Sequence, residues 1–330
     1  MSAAPFFSVV VPSIGRDPGL PELLEALARQ TLPRERFETI VVLGAAEPTA
    51  RICAAADALG ARLVRRTASR GPGAARNFGA AHAGAEWLAF TEDDCLPEDD
   101  WLAAAFLRLV TDPEADALEG RTTKPGGKPL HRASDRFPYY VPTNLFVKRA
   151  TFAAMNGYCE DFYDPLTRVY FREDSDFGFR LEARGARVVR APEVRVTHPD
   201  EHATPMGALR WTTRLEMDPL LQRRDPERFR ERIEVHRVGP LVVRRPLVRA
   251  AWLATLGAAA TPFALTGLLR VPPIVPIAAY ALGAAVFWAK WRFGPAFLPV
   301  ALIGPFVALV ALLRGTFRVW MMKREKRAAV

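Results

Sequence analysis

Up to about residue 198 the chain alternates short apolar runs with stretches of helical periodicity. "FFSVVVPS" reads as a strand, Leu20, Leu23, Leu24 and Leu27 then recur at helical spacing, and "FETIVVL" is a second strand. Residues 49–59 predict a helix, "ARLVRR" a short strand, residues 72–83 a helix opened by proline, and "EWLAFT" a fourth strand. Alternation of this kind builds a mostly parallel sheet covered by helices on both faces, with ligands beyond the carboxyl ends of its strands. Past Trp101 the pattern loosens. "ADALEGRT" and "NLFVKR" read as strands around a Gly/Pro-rich loop at 123–142 that is placed to close over a ligand. A helix over 172–183 and a strand "ARVVRAPEVRVTH" complete this part.

A different pattern follows. Residues 250–269, 271–289 and 293–313 contain no charge, and windows of 20, 19 and 21 residues match the roughly 20 that a bilayer span needs. They are separated only by Arg270 and by Lys290-Trp291-Arg292, a succession that favours membrane helices over the buried helices of a soluble protein. The Arg-rich, amphipathic stretch 205–248 is expected to lie against the membrane surface. The expected division is therefore an α/β domain at 1–204, a juxtamembrane segment at 205–248, a membrane region of two to three helices at 249–314, and a basic tail at 315–330. Pro295, Pro299 and Gly304-Pro305 interrupt the third window, so the expectation is a hairpin over 250–289, a bent third segment and a cytoplasmic C-terminus; three straight spans are the alternative.

Charge sharpens this picture. The formal net charge of +9 is concentrated around the apolar windows, in Arg244, Arg245 and Arg249 before them and in Arg314, Arg318, Lys323, Arg324, Lys326 and Arg327 after them. Basic residues gather at the cytoplasmic face, where anionic lipids attract them, so membrane lipids are the expected partner and nucleic acid is not. The expected location is the inner membrane, multi-pass, with the catalytic domain in the cytoplasm. "MSAAPFFSVVVPSIGRD" has no basic leader region and reads as a strand instead of a signal peptide. Cys53, Cys95 and Cys159 lack metal-type spacing and fit a reduced setting.

The candidate chemistry begins at "FTEDDCLPEDDW", residues 90–101, directly after the fourth strand. Hard divalent cations such as Mn²⁺ and Mg²⁺ take oxygen ligands, and one or two carboxylates suffice when a diphosphate supplies the rest. Glu92, Asp93 and Asp94 fit that use, whereas Glu98, Asp99 and Asp100 suit the start of a helix near Pro97. In "YFREDSDFGFRL", Phe177 and Leu181 mark the buried side of a helix. Asp174, three residues before Phe177, stands where a carboxylate can act as general base. Glu173 is either its partner or a helix-start acid, and Asp176 with Arg180 reads as an ordinary surface pair. His198 ends a strand and is structural or a metal ligand according to its neighbours. "GPGAARN" has G-x-G spacing, but Arg76 occupies the third glycine position, which argues against a dinucleotide; Arg76 at a helix start is placed to meet a nucleotide.

In order, these segments resemble glycosyltransferase family 2, inverting nucleotide-sugar-dependent enzymes of the GT-A fold, here of the membrane-anchored, bacterial type. "FSVVVPSIGR" is similar to the family's opening strand, "LLEALARQTLPRERFETIVV" to its first helix and second strand, and "RGPGAARNFGAAHAGAEWLAFTEDDCLPEDDWL" to the segment with the Asp-x-Asp metal motif. "NGYCEDF" with "REDSDFGFRL" resembles the acceptor loop and Glu-Asp motif, and "VTHP" the late metal-binding His. The resemblance implies Mn²⁺ or Mg²⁺ held by Asp94 and His198, with Glu92 and Asp93 at the metal's water shell or the ribose. It also implies Asp174 as catalytic base, and Pro12, Arg16 and Arg76 at the nucleotide. The family's acidic turn after the second strand is replaced by "VVLGAAEP", which leaves that contact to Glu47, and Glu92 stands where the metal motif has Asp. The implied activity is sugar transfer from a nucleotide-diphosphate donor to a lipid-linked or glycan acceptor. A polyprenyl-phosphate sugar synthase and a non-catalytic, membrane-anchored nucleotide-sugar-binding protein are the alternatives.

Overall fold

The computed structural model describes residues 4–15, 18–66, 70–130, 140–199, 203–238 and 241–328. Two compact units divide the chain, Met1–Arg168 with Glu173–Glu201, and Val169–Arg172 with His202–Val330.

The first unit is built on eight strands among the described residues: β1 (Phe7–Ser13), β2 (Phe37–Leu43), β3 (Arg62–Arg65), β4 (Trp87–Phe90), β5 (Leu96–Pro97), β6 (Ala117–Thr123), β7 (Leu145–Lys148) and β8 (Val188–Thr197). They lie in the order β3-β2-β1-β4-β7-β6-β8-β5. β3, β2, β1 and β4 run parallel, β7 is antiparallel to both neighbours, and β8 is again parallel to β6. The carboxyl ends of β1, β4 and β8 therefore share one edge. Helices α1 (Gly19–Ala28), α2 (Ala50–Leu59), α3 (Gly71–Ala81), α4 (Trp101–Thr111), α5 (Arg149–Ala154) and α6 (Glu173–Ala183) cover the faces. Leu20, Leu23, Leu24 and Leu27 of α1 are fully buried, each worth about 1.5–3 kcal/mol in area removed from water. α3 packs still closer. A Cβ on Gly79 would overlap the Val10 side chain and lie 3.0 Å from Val42 Cγ2, so only glycine lets the helix rest on β1 and β2.

Two sequence expectations change here. The helix placed near Pro97 starts at Trp101, because Leu96 and Pro97 instead form a two-residue strand against β8. Glu98, Asp99 and Asp100 thus precede the helix; Glu98 pairs with Arg195 at 2.6 Å and Asp99 with Arg29 at 3.4 Å. Asp176 and Arg180 are no surface pair. Asp176 is buried, and Arg180 donates from Nε to Asp176 Oδ2 (2.7 Å), from Nη1 to Met155 O (2.7 Å) and from Nη2 to Gly157 O (2.8 Å). Arg16 and residues 131–139 of the acceptor-side loop lie outside the described residues.

In the second unit, α7 (Pro205–Thr213), α8 (Asp218–Arg224) and α9 (Pro226–Arg232) lead to the hairpin β9 (Val235–Val238) and β10 (Leu241–Arg244), then to α10 (Pro246–Leu265), α11 (Ile274–Lys290) and α12 (Leu298–Ala328). Added Cβ atoms on Gly257 and Gly283 would lie 2.5 Å from Pro276 O and Ala250 O, so small residues permit close contact of α10 with α11. Two stretches, Pro246–Leu265 and Pro295–Met322, are long and apolar enough to cross a membrane; the helix at Ile274–Lys290 is shorter. The third segment departs from expectation. After a turn at Pro295–Phe297 it is one helix that continues through Pro305 and through most of the stretch expected as a separate basic tail.

Candidate active site

β1, β4 and β8 deliver the candidate residues to one edge. The short β5 supplies the register that completes the group: Leu96 pairs with Thr197 and Pro97 with Val196 in antiparallel fashion. The residues just before Leu96 are thereby set beside the residue just after Thr197, namely Asp94 and Cys95 beside His198. His198 N also donates to Thr123 O at 2.8 Å, tying the end of β8 to β6. One ligand atom each from Glu92, Asp94, Cys95 and His198 falls within a common span of 4.8 Å. His198 Nε2 lies 3.7 Å from Glu92 Oε2 and 3.9 Å from Asp94 Oδ1.

The histidine's tautomer follows from its other nitrogen. Nδ1 is 2.8 Å from Pro199 O, and a carbonyl can only accept, so Nδ1 carries hydrogen. In the neutral ring Nε2 then presents a lone pair to two carboxylates. That arrangement is repulsive by itself and becomes attractive around a proton or a cation, and the imidazole-and-carboxylate donor set fits a divalent metal ion.

Glu92 is held from behind. Arg76, with 1 % of its side chain exposed, donates from Nη2 to Glu92 Oε1 at 2.8 Å. Burial pushes the Glu92 carboxyl up, while Arg76 and His198 pull it down. The guanidinium also lies 5.7 Å from the Tyr158 ring centre. Tyr158 is fixed by Asn77, which donates from Nδ2 to Tyr158 O and accepts from Tyr158 N, both at 2.8 Å, and by Phe177, 4.8 Å between ring centres. Gly73 permits this approach, since a Cβ there would lie 3.2 Å from Tyr158 Cβ and 3.3 Å from Glu173 Cγ.

α6 brings the second set of acids. Asp174 Oδ1 accepts from Ser175 N at 2.6 Å and from Ser175 Oγ at 3.2 Å; its other oxygen takes no hydrogen bond among the described residues. Glu173 is buried, and its carboxyl is pushed up to about 7, first by burial and then by the neighbouring Asp174, against the pull of Arg76. Two carboxylates of unequal environment thus stand together, with Asp174 the more exposed.

The other expected residues fall as follows. Asp93 is buried and accepts from Ser13 Oγ at 2.6 Å, while Gly15 N donates to the same hydroxyl at 2.9 Å, so Asp93 ties the acidic turn to the end of β1 and stands outside the four-residue group. Pro12 is half-buried in β1. Glu47 is largely exposed and pairs with Arg65 Nη1 at 2.6 Å. Arg76 faces the protein interior instead of solvent. Cys95, Tyr158, Asn77 and Ser13 were not foreseen. Cysteine spacing could not reveal Cys95, because its companion His198 is far away in sequence and arrives only through the β5–β8 pairing.

Comparison with known proteins bears on the family and the fold. A family model described as Glycosyl transferase family 2 matches residues 8–176. Glycosyltransferase AglE of Haloferax volcanii is 28 % identical over 156 residues, 45 % of this chain, and the chain spans about half (49 %) of that relative's length. Among solved structures, a mannosyltransferase from Pyrobaculum calidifontis, in complex with GDP-Man and Mn²⁺, superposes with a TM-score of 0.58 at 19 % identity, covering 94 % of this chain and 88 % of that one. S. aureus TarS gives 0.53 at 16 % identity, covering 90 % of this chain and 55 % of that one. These likenesses support the GT-A fold.

Proposed function

We propose that this chain, which belongs to glycosyl transferase family 2, moves a sugar from a nucleoside-diphosphate donor to an acceptor hydroxyl with inversion of configuration, beside a membrane. The observation that carries this reading is the meeting of Glu92, Asp94 and His198 at one strand edge, with His198 Nε2 bare toward two carboxylates. Asp94 and His198 would hold Mn²⁺ or Mg²⁺, with Glu92 Oε2 beside them. When bound, such an ion neutralises the charge that develops on a departing diphosphate.

The chain's own groups do the rest. Arg76 keeps Glu92 Oε1 engaged, so that Oε2 faces the seat. The uncommitted oxygen of Asp174 accepts the proton of the attacking hydroxyl, and attack from the face opposite the leaving group inverts the anomeric centre. Glu173, held up to about 7, carries only about half a negative charge beside that base at neutral pH. The apolar helices of the second unit fit a lipid-linked acceptor, reached at the inner face of the membrane.

The test is release of nucleoside diphosphate from GDP-mannose and from UDP-GlcNAc by the purified chain with Mn²⁺ and a membrane lipid extract. The expected result is release from at least one donor that Asp94→Ala removes. Release unchanged in Asp94→Ala would overturn the assignment of the seat.

A further inference from the structure

We propose that Cys95 turns the cation seat into a four-donor site for thiophilic divalent ions of the zinc type, and that such an ion closes the seat against the nucleotide. The inference rests on the proposed metal seat and adds a donor that the oxygen-and-imidazole reading leaves unused.

Geometry carries it. The Glu92, Asp94, Cys95 and His198 ligand atoms all lie within 4.8 Å of one another. Cys95 Sγ is 3.9 Å from Asp94 Oδ1, alongside the 3.7 and 3.9 Å separations of His198 Nε2 from Glu92 Oε2 and Asp94 Oδ1. Tetrahedral coordination with bonds of about 2.0–2.3 Å puts donors roughly 3.3–3.8 Å apart, whereas six-fold oxygen coordination at about 2.1 Å puts neighbours roughly 3.0 Å apart. These three separations thus approach a tetrahedron's edges to within a few tenths of an ångström and exceed an octahedron's by nearly 1 Å.

The position of the sulfur is also fixed. Cys95 is fully buried, its N–H donates to Glu92 O at 3.1 Å, and the β5–β8 register holds it next to His198. Sulfur donors select zinc-type ions over Mg²⁺ and Mn²⁺. An ion that uses all four side chains has no open position left, as in structural zinc sites. Mn²⁺ or Mg²⁺, which prefer oxygen, would instead leave the sulfur aside and keep room for diphosphate oxygens.

The test uses the full chain in detergent, with Co²⁺ as the spectroscopic probe and Zn²⁺ as competitor. One equivalent of Co²⁺ is expected to give a near-ultraviolet sulfur-to-metal charge-transfer band that disappears in both Cys95→Ser and Cys95→Ala and persists in Cys159→Ser and Cys53→Ser. Circular dichroism shows whether each variant is folded. Zn²⁺ is expected to displace Mn²⁺, followed by its paramagnetic resonance signal, at least about tenfold more readily from the parent chain than from Cys95→Ser. A parent chain that binds Mn²⁺ but gives no Co²⁺ band, or a band that survives in folded Cys95→Ser, overturns the proposal. A Cys95-dependent band without Mn²⁺-dependent nucleotide binding upholds it while removing the transferase role of the seat.

Discussion

Arg76, with 1 % of its side chain in water, is held by its ion pair with Glu92 at 2.8 Å. Removing one member of a partly buried ion pair leaves the other short of a partner, so Arg76→Met is expected to lose about 1–3 kcal/mol of stability, read from the denaturation midpoint. A loss confined to nucleotide affinity would instead mean that Arg76 meets the donor directly. The acidic run divides by residue. Asp94→Ala is expected to abolish metal-dependent nucleotide binding in calorimetry, while Asp99→Ala, an exposed partner of Arg29, costs at most about 1 kcal/mol and leaves binding intact. Equal loss in both would undo the division. Glu173 titrates near 7 in the fold and near 4.5 in its ordinary state, so its contribution to stability is whole below about pH 4.5 and is lost as the pH rises through 7. Glu173→Gln cannot ionise and is expected to be more stable than the parent at pH 8, by on the order of 3 kcal/mol at most, with a flatter pH profile. An unchanged profile counts against the buried charge. Asp94 and His198 were singled out because carboxylate and imidazole at strand ends carry their own chemistry, and the structure brings the two together. The burial of Arg76 could not be read, since it depends on Tyr158 and Glu92, which come from elsewhere in the chain.

The elements were legible where apolar period was long, as in α1, β1 and β2, and illegible where two residues decide the outcome. β5 is too short for any periodicity, yet its pairing with β8 sets the distance between Asp94 and His198. Likewise, i, i+4 spacing on α6 correctly pairs Asp176 with Arg180, but it cannot tell that the same arginine fastens Met155 O and Gly157 O. α3 shows the reverse case, in which a motif that resembles a nucleotide loop owes Gly73 to packing, as the same helix owes Gly79. Gly79→Ala forces the helix away from Val10 and Val42 and is expected to lower stability by about 1–3 kcal/mol. Because α3 carries Arg76 and Asn77, the same change is expected to weaken nucleotide binding, measured in the folded fraction. Unaltered binding would show that the seat does not depend on the helix's position.

At the scale of the whole chain, apolar windows announced the second unit, but local breaker rules misjudged its last helix. Pro305 lacks a donor, yet α12 continues past it, because packing can re-satisfy or tolerate the freed carbonyl. Within this unit Leu215, Leu247, Ala250, Ala308 and Leu312 share one apolar cluster, and Arg223 Nη1 donates to Val319 O at 2.8 Å. The start of α10 and the second half of α12 therefore meet the same segment, residues 214–223, which places them on one side of the unit. That geometry favours a C-terminus on the side of the juxtamembrane segment. A cysteine introduced at Ala328 is expected to resist an impermeant thiol reagent in intact cells, and ready labelling would defeat that topology. The central claim is proton removal by Asp174 during transfer from a nucleotide sugar, and Asp174→Asn examines it most directly. Donor binding with Mn²⁺ is measured alongside steady-state release of nucleoside diphosphate. Binding is expected to stay close to that of the parent chain while turnover falls by about 100-fold or more. Turnover retained near the parent rate would contradict it and point to an acceptor, such as a lipid phosphate, that surrenders no proton.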